Sequence, residues 1–471
     1  MKAHLITAVS AVMFVASVAA HAAEVTTIAQ PTDEDRAVGF QFNLGYGLTR
    51  DTGQIAREQS CLPGRDLDPD GRSRCSQPMT VLNREMEYER NNHFLDLDFR
   101  LALPKRTELR IVLPIGLSDQ ANYAFADDVN TGNSTLSPSM ERVRGALADA
   151  QPFFDTYRFW DTSEGWQPPK RSGLGDLQLH FNWLAMSQDT PPERATLLLG
   201  VAYTAPTGAV RQGGNSAYGD GVHWLNFRLA ASRQIQFIEP YFQFSYSAPV
   251  GGSRGVFPAL NKNESFVTPG HKIDFVAGTD FELYKAPETG AMVRVGVGAS
   301  LGLQTAGRDR SPIFEGLSHS ECNGVALADT NTPTNGTGYE PIPTSTTAQC
   351  GWVTQQPGAA QDGNWATGTF SHDGITTVES KMYSGAHARL VAHFQRNVGL
   401  QLTASWLAYT NHVLTSENTG EDLDGDGSVS MEFDSAERNP NYNPTMAAPG
   451  RRFIFEGFRQ LHVGADLFVR F

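Results

Sequence analysis

Apolar and polar residues take turns along most of this chain, and the alternation runs unbroken to its last residue. In Leu461–Phe471 (LHVGADLFVRF), Leu461, Val463, Ala465, Leu467, Val469 and Phe471 share one face, while His462, Asp466 and Arg470 share the other. A period of two is the period of a strand. Val38–Thr49 repeats the pattern, with Val38, Phe40, Phe42, Leu44, Tyr46 and Leu48 on one side and Gln41 and Asn43 on the other. Between these two ends the same alternation marks Phe94–Leu103, Glu108–Leu117, Leu174–Met186, Ala195–Ala205, Val222–Ile235, Pro240–Ala248, Lys272–Tyr284, Ala291–Thr305, Lys381–Gln395 and Val398–Val413. The closing segment, Arg452–Phe471, makes twelve.

The connections decide the topology. Short links at 104–107, 187–194, 234–239, 286–290 and 396–397 alternate with long polar stretches at about 50–92, 118–172, 206–221, 249–271, 306–380 and 414–451. Bacterial outer-membrane barrels have short periplasmic turns, long extracellular loops, an even strand count and both termini in the periplasm. The pattern therefore predicts an all-β fold: a single transmembrane antiparallel up-and-down β-barrel of about 12 strands over residues 38–471. Segments 118–172 and 306–380 could each hide a further hairpin. Loops as long as 306–380 are expected to fold over or into the barrel mouth rather than stay structureless.

The two ends of the chain agree with export. Met1, Lys2 and His4 precede an apolar run from Leu5 to Ala20, and Ala20-His21-Ala22 offers the small-x-small pattern of a signal-peptidase site. Residues 1–22 are read as a cleaved signal peptide and 23–37 as a periplasmic lead-in. The run is too short for a spanning helix, and no later stretch approaches about 18 consecutive apolar residues. At the other end, Leu467, Val469 and the terminal Phe471 resemble the signal by which outer-membrane proteins engage the barrel-assembly machinery. The expected location is the outer membrane of a Gram-negative-type cell, among its lipid and lipopolysaccharide.

Composition changes the picture in three places. A formal charge of −14 argues against nucleic-acid and anionic-lipid partners. Aromatic residues at 10% and 45 glycines suit strands with aromatic girdles. The four cysteines, Cys61, Cys75, Cys322 and Cys350, form two local pairs in loop-like sequence. In an oxidising compartment the simplest reading is Cys61 with Cys75 and Cys322 with Cys350; a zinc site is the weaker alternative, because neither pair has ligand spacing.

Two constellations could carry chemistry. On the polar faces of the predicted strands lie Asp96, Asp98, Arg100, Glu108, Arg110, Asp176, His180 and Arg228, followed by Asp274, Asp280, Glu282, Arg294, His387, Arg389 and His393, with Asp466 and Arg470 at the end. Eight strands can be filled by side chains and sixteen leave a clear channel, so twelve predict a narrow lumen lined by these residues. Their mixed signs predict either a salt-bridge network that partly plugs the barrel or a ladder of opposed walls that sets selectivity. The second constellation is a pair of acidic turns, Asp66-Leu67-Asp68-Pro69-Asp70-Gly71 and Asp422-Leu423-Asp424-Gly425-Asp426-Gly427, whose D-x-D-x-D-G spacing can wrap oxygens around Ca²⁺. The second copy has Phe433 where a helical calcium loop has Glu, and solvated loop tips are the plainer reading. No cofactor is expected beyond this structural Ca²⁺. No serine motif accompanies the inward histidines, so an enzyme is not expected.

From Ser172 to Gly208 the sequence reads SGLGDLQLHFNWLAMSQDTPPERATLLLGVAYTAPTG. The strand opening on Gly173-Leu174-Gly175-Asp176-Leu177 and the strand closing on Pro206-Thr207-Gly208 resemble the outer-membrane transporters of the meta-pathway of phenol degradation, a family similar in turn to the long-chain fatty-acid channels. The resemblance covers less than a tenth of the chain, and the loops here are longer than that family's. It implies passive movement of a small hydrophobic or aromatic solute. On physical grounds alone, Gly173 and Gly175 allow a bend at the rim and Pro206-Thr207-Gly208 ends the neighbouring strand there. The alternative function is a non-transporting surface barrel whose Ca²⁺-ordered loops bind a partner or surface.

Overall fold

In the computed structural model of the protein, the described residues are 26–29, 38–61, 63, 75–127, 129, 168–188, 195–212, 215–251, 267–286, 288–317, 339–341, 352–354, 374–430, 437, 439, 442 and 444–471. Twelve long strands follow one another: β1 Gly39–Cys61, β2 Met79–Leu103, β3 Thr107–Phe125, β4 Leu177–Met186, β5 Thr196–Ala205, β6 His223–Ser232, β7 Ile238–Gly251, β8 Lys272–Ala286, β9 Ala291–Gln304, β10 Lys381–Gln395, β11 Val398–Tyr409 and β12 Phe453–Arg470. Each pairs antiparallel with its neighbour in sequence, and β12 returns to β1 in a ladder from Gln41↔Arg470 to Arg57↔Phe453. The result is a closed 12-stranded antiparallel β-barrel. Closure leaves no sheet edge, which is the condition for crossing hydrocarbon, where an unpaired N–H or C=O has no water to turn to.

All twelve segments read from the alternation are strands, but several run further than the pattern reaches. A span needs about 9–11 residues, whereas β2 has 25 and β1 has 23. The stretches Asp51–Cys61 and Met79–Asn91 belong to strands, not to the expected loop. Along them the period of two fades while the hydrogen-bond ladder continues. Cys61 and Cys75 close the top of this hairpin as a disulfide, with Cα atoms 6.2 Å apart. The expected pair Cys322–Cys350 and the acidic turn of Asp66, Asp68 and Asp70 lie outside the described residues, as does the predicted signal peptide.

The outer wall is apolar. Phe40, Leu44, Phe181, Phe227, Phe242 and Leu467 are each more than a third exposed, as lipid-facing side chains must be when no lipid is present. Toward the extracellular side of that band, three outward tyrosines share hydrogen bonds with histidine Nδ1 atoms: Tyr46 with His93 at 2.8 Å, Tyr203 with His223 at 2.6 Å and Tyr246 with His271 at 2.8 Å. Such amphipathic rings belong at the headgroup level. A conventional apolar core exists as well, but it sits inside the extracellular half: Ile55, Met86, Tyr88, Phe453 and Phe455 from the tall strands enclose Ile313, Leu317, Val378 and Leu414 from the loops.

Phe227 sits near the middle of β6 on the lipid face. Phe227→Arg is expected to cost about 2–4 kcal/mol in reversible unfolding from liposomes, the range for a charge near the bilayer midplane. Leu423→Arg, at an exposed loop tip, is expected to stay within about 0.5 kcal/mol.

Candidate functional site: the occluded lumen

Every charged residue singled out above on strands β2 to β12 sits on the inner face, where three layers follow one another from the periplasmic end upward. The lowest layer is a polar floor. Asp98 is its hub: Arg110 Nε donates to Oδ1 at 2.8 Å, Arg100 Nε to Oδ2 at 3.0 Å and Asn43 Nδ2 to Oδ2 at 2.7 Å. Gln41 continues the chain of bonds to Asn43, and Arg470 Nε donates to Gln41 Oε1. Across the lumen Arg389 Nη2 bonds Asp280 at 2.6 Å, and Arg294 reaches Glu282 at 3.4 Å and Glu239 at 3.6 Å. Asp98, Arg100, Arg110, Arg389 and Asp280 are all at most 4% exposed. Ions so enclosed persist only when paired and hydrogen-bonded.

The N-terminal segment 26–29 enters this floor from inside the barrel. Ala29 N–H donates to Glu108 Oε2, whose other oxygen accepts from Asn182 at 2.8 Å. Thr26 and Ser232 hydroxyls meet at 2.7 Å. Ile28 is buried against Leu184, Leu198, Ala230, Tyr241 and Val276, the largest apolar patch of the lower lumen wall. The segment is held both by its backbone and by one apolar anchor.

Above the floor lies a cavity of about 440 Å³. Its walls carry Phe94, Trp224, Tyr218 and Tyr383 rings beside Asp96, Asp176, His180, Asp274, His387 and Asp466. Most of the polar walls are engaged. His387 Nε2 shares a hydrogen bond with Tyr241 Oη at 2.6 Å, Asp274 accepts from Tyr383, and Gln178 lies beside His180. His393 packs edge-on against Phe468 further down.

The ceiling is built by two loops that fold inward. The first is 206–222, and the Gly-Leu-Gly-Asp and Pro-Thr-Gly residues are what hold it. Between Leu174 and Leu177 the strand breaks, and Asp176 turns its carboxylate to accept N–H bonds from Gly208 at 3.0 Å, Asp220 at 2.8 Å and Gly221 at 3.3 Å. Thr207 Oγ1 accepts from Leu177 N–H. Gly208 must be glycine, because a Cβ there would press on the backbone of Leu174, Gly175 and Gly219. The clamp delivers Arg211 to Asp119, which also takes two bonds from Arg90, and Tyr218 to Asn92 on β2. The second loop follows β9: Gly307–Arg310 pairs with Ile375–Val378, and a single helical turn, Phe314–Leu317, plugs the mouth. Arg171 beneath it donates three bonds to the Glu315 carboxylate at 2.8–3.0 Å, with both side chains under 10% exposed. Arg310 Nη1 and Nε donate to the carbonyls of Asp220 and Arg211, tying the two loops together.

Alternation does not reach most of this ceiling: Arg90, Asp119, Arg171, Arg211 and Glu315 lie in the long polar stretches or at their edges, and its patterned residues are Asp176 and Pro206-Thr207-Gly208. On the outside, Asp422 and Asp424 converge, but their third partner is Glu437 rather than Asp426. Glu437 accepts N–H bonds from Leu423, Asp424 and Ser430, and Asp426 turns to Ser428 instead. N–H groups of Gly427 and Gly425 aimed at Asp422 hold its carboxyl below the usual carboxylate range, and the Ser428 hydroxyl and N–H do the same for Asp426.

No protein-family model and no curated protein matches the sequence. Among solved structures the chain is similar to an outer membrane channel from Pseudomonas putida F1, at 10% identity and a TM-score of 0.39, covering 94% of this chain and all of that one. It is similar to the P. putida toluene transporter TodX at 8% identity and a TM-score of 0.27, over 94% of this chain and 93% of that one. The outer membrane protease OmpT from Escherichia coli matches at 8% identity and a TM-score of 0.29, over 93% and 99% of the two chains. The architecture of this chain rests on its own closed sheet.

Arg171→Ala leaves Glu315 buried without its cation, a change worth about 3–5 kcal/mol. The expected outcome is a plug released from a barrel that stays folded: limited proteolysis cuts within 307–317 many times faster, while heat-dependent migration in SDS gels is unchanged.

Proposed function

We propose that this chain is an outer-membrane channel for passive movement of a small hydrophobic or aromatic solute, which rests part-way in the lumen chamber. The observation that carries this reading is a cavity of about 440 Å³ inside the barrel, walled partly by aromatic rings and lined at its upper side by residues of the folded-in segments 206–222 and 307–310. That volume falls within the range of small-molecule sites, about 300–1,000 Å³. A purely structural barrel of this width gains nothing from keeping such a space, since empty volume forfeits contacts.

The two closures differ in kind, which supports a direction for gating. The ceiling is locked by buried ion pairs and by apolar anchors, Ile313 and Leu317, both fully buried. The floor segment 26–29 is held by one buried isoleucine and a few hydrogen bonds. Removing one buried Ile contributes only about 1.5–3 kcal/mol, so the floor is the closure that opens more readily. An enzymatic role finds no support in the imidazoles: His387 is engaged with Tyr241, His180 lies beside Gln178, and His462 stacks on Phe94.

Liposome swelling and planar-bilayer recording test the channel. The intact chain is expected to pass small aromatic solutes slowly with low ionic conductance, and Ile28→Asp to raise both several-fold with the barrel still folded. Correctly folded protein that gives no solute flux, with Ile28→Asp equally silent, would overturn the proposal.

A second reading adds to the first rather than competing with it. Asp422, Asp424 and Glu437 bring one carboxylate oxygen each within 4.8 Å of the others at an exposed loop. We propose that this loop takes up Ca²⁺ there. Millimolar Ca²⁺ is expected to protect 418–430 from proteolysis and Glu437→Gln to remove that protection; protection that survives the substitution counts against the site.

A further inference from the structure

A second cavity, of about 190 Å³, lies against the Phe314–Leu317 turn that plugs the mouth. Lys272, Asp309 and Arg310 line both this space and the chamber, so the two adjoin at a neck. There β8, β9 and β10 place Lys272, Gln304 and Lys381 in a single register row on the inner face. Strand spacing sets the two lysine Cα atoms about 10 Å apart, with Gln304 between them. All three side chains line the second cavity.

Both lysines rest on aromatic rings. The Lys272 ammonium lies 4.6 Å from the centre of the Trp224 ring, and that of Lys381 lies 5.5 Å and 5.8 Å from those of Tyr409 and Phe458. Among the described residues no carboxylate forms an ion pair with either ammonium, and the Gln304 amide makes no hydrogen bond. A ring face offsets only part of what an ammonium group loses on leaving water.

Most other charges at the neck are engaged elsewhere. Arg90 and Arg211 meet Asp119, and Arg310 donates to two backbone carbonyls. Asp274 accepts from Tyr383, and Asp51 from Gln460 Nε2. Asp309, on the infolded strand Gly307–Arg310, is the acid whose field reaches both lysines. Its hydrogen bond comes from the N–H of its neighbour Arg310, at 2.7 Å. Burial pushes the Asp309 carboxyl up, against the pull of Lys272, which makes it a weak counter-ion. Two ammonium groups thus share one buried acid that touches neither.

We propose that the neck binds the carboxylate of a small organic acid between the Lys272 and Lys381 ammonium groups, with the Gln304 amide donating a further hydrogen bond. The body of the solute lies in the chamber toward Trp224 and Tyr383. Acids of the chamber wall such as Asp176 and Asp274 disfavour an anion lower down, so the charged end is held at the neck. The inference rests on the channel reading and narrows its solute to a class, while the site itself is a matter of binding.

Isothermal titration of the full chain in detergent at neutral pH tests it, with benzoate and benzamide as probes of one shape and two charges. Benzoate is expected to bind about tenfold more tightly than benzamide, as suits hydrogen bonds between ions. Lys381→Gln is expected to remove most of that preference; Lys272→Gln serves the same purpose if the first variant does not fold. Asp309→Asn keeps an acceptor for the Arg310 N–H but removes the competing charge, and is expected to tighten benzoate several-fold. Lysines that served only to pack on rings would not produce that response. Equal affinity for the two probes, a preference untouched in a folded lysine variant, or benzoate bound no better by Asp309→Asn overturns the site. Liposome flux of the same probes separates the two proposals: flux without charge preference removes the site and leaves the channel, and benzoate binding without flux of either probe does the reverse.

Discussion

Backbone hydrogen bonds have no substitute partner in hydrocarbon. A sheet can meet that constraint only by closing, and the ladder between β1 and β12 is the closure. Closure fixes the strand number and the direction of every side chain. It also creates the interior in which everything functional takes place. Because each strand shows lipid and lumen to alternate residues, the same ladder that satisfies the backbone sorts apolar from polar side chains.

That interior is then closed a second time, by means that have nothing to do with hydrocarbon. Twelve strands leave more space than side chains alone fill, and the chain answers with segments of its own: 26–29 below, 206–222 and 307–317 above. Each is held by a buried carboxylate that accepts from elsewhere: Glu108 from Ala29 N–H, Asp176 from three loop amides and Glu315 from Arg171. The Asp176 clamp explains a motif in terms of chain geometry. Its glycines let backbones approach and its aspartate binds the loop, so the residues that carried a family resemblance here work as a brace for the constriction.

The polar floor and the chamber use charge differently. In the floor, Arg100 and Arg110 meet Asp98 and Arg389 meets Asp280 in hydrogen-bond contact, which makes a rigid base. Around Gly45 the chamber wall places Asp96 and Asp466 on either side of a residue with no side chain.

Much of the fold was legible because the bilayer imposes it residue by residue. Phe40 to Leu48 must face lipid and Gln41 and Asn43 must not, so the alternation in β1 follows from physics local to each position, and all twelve strands could be placed. Along Asp51–Cys61, where Ile55 and Ala56 are fully buried, the strand continues without the period-two signal. The lumen side was half legible: Asp98, Arg110 and Asp280 could be assigned inward from their strand phase, but which acid meets which base depends on the stagger between strands. Arg171 with Glu315, Asp119 with Arg211 and Gly45 between Asp96 and Asp466 join residues from 51 to 421 positions apart in the chain. The barrel can be read along the chain because each residue's solvent is a local matter; the chamber and its closures cannot, because they arise where distant segments meet.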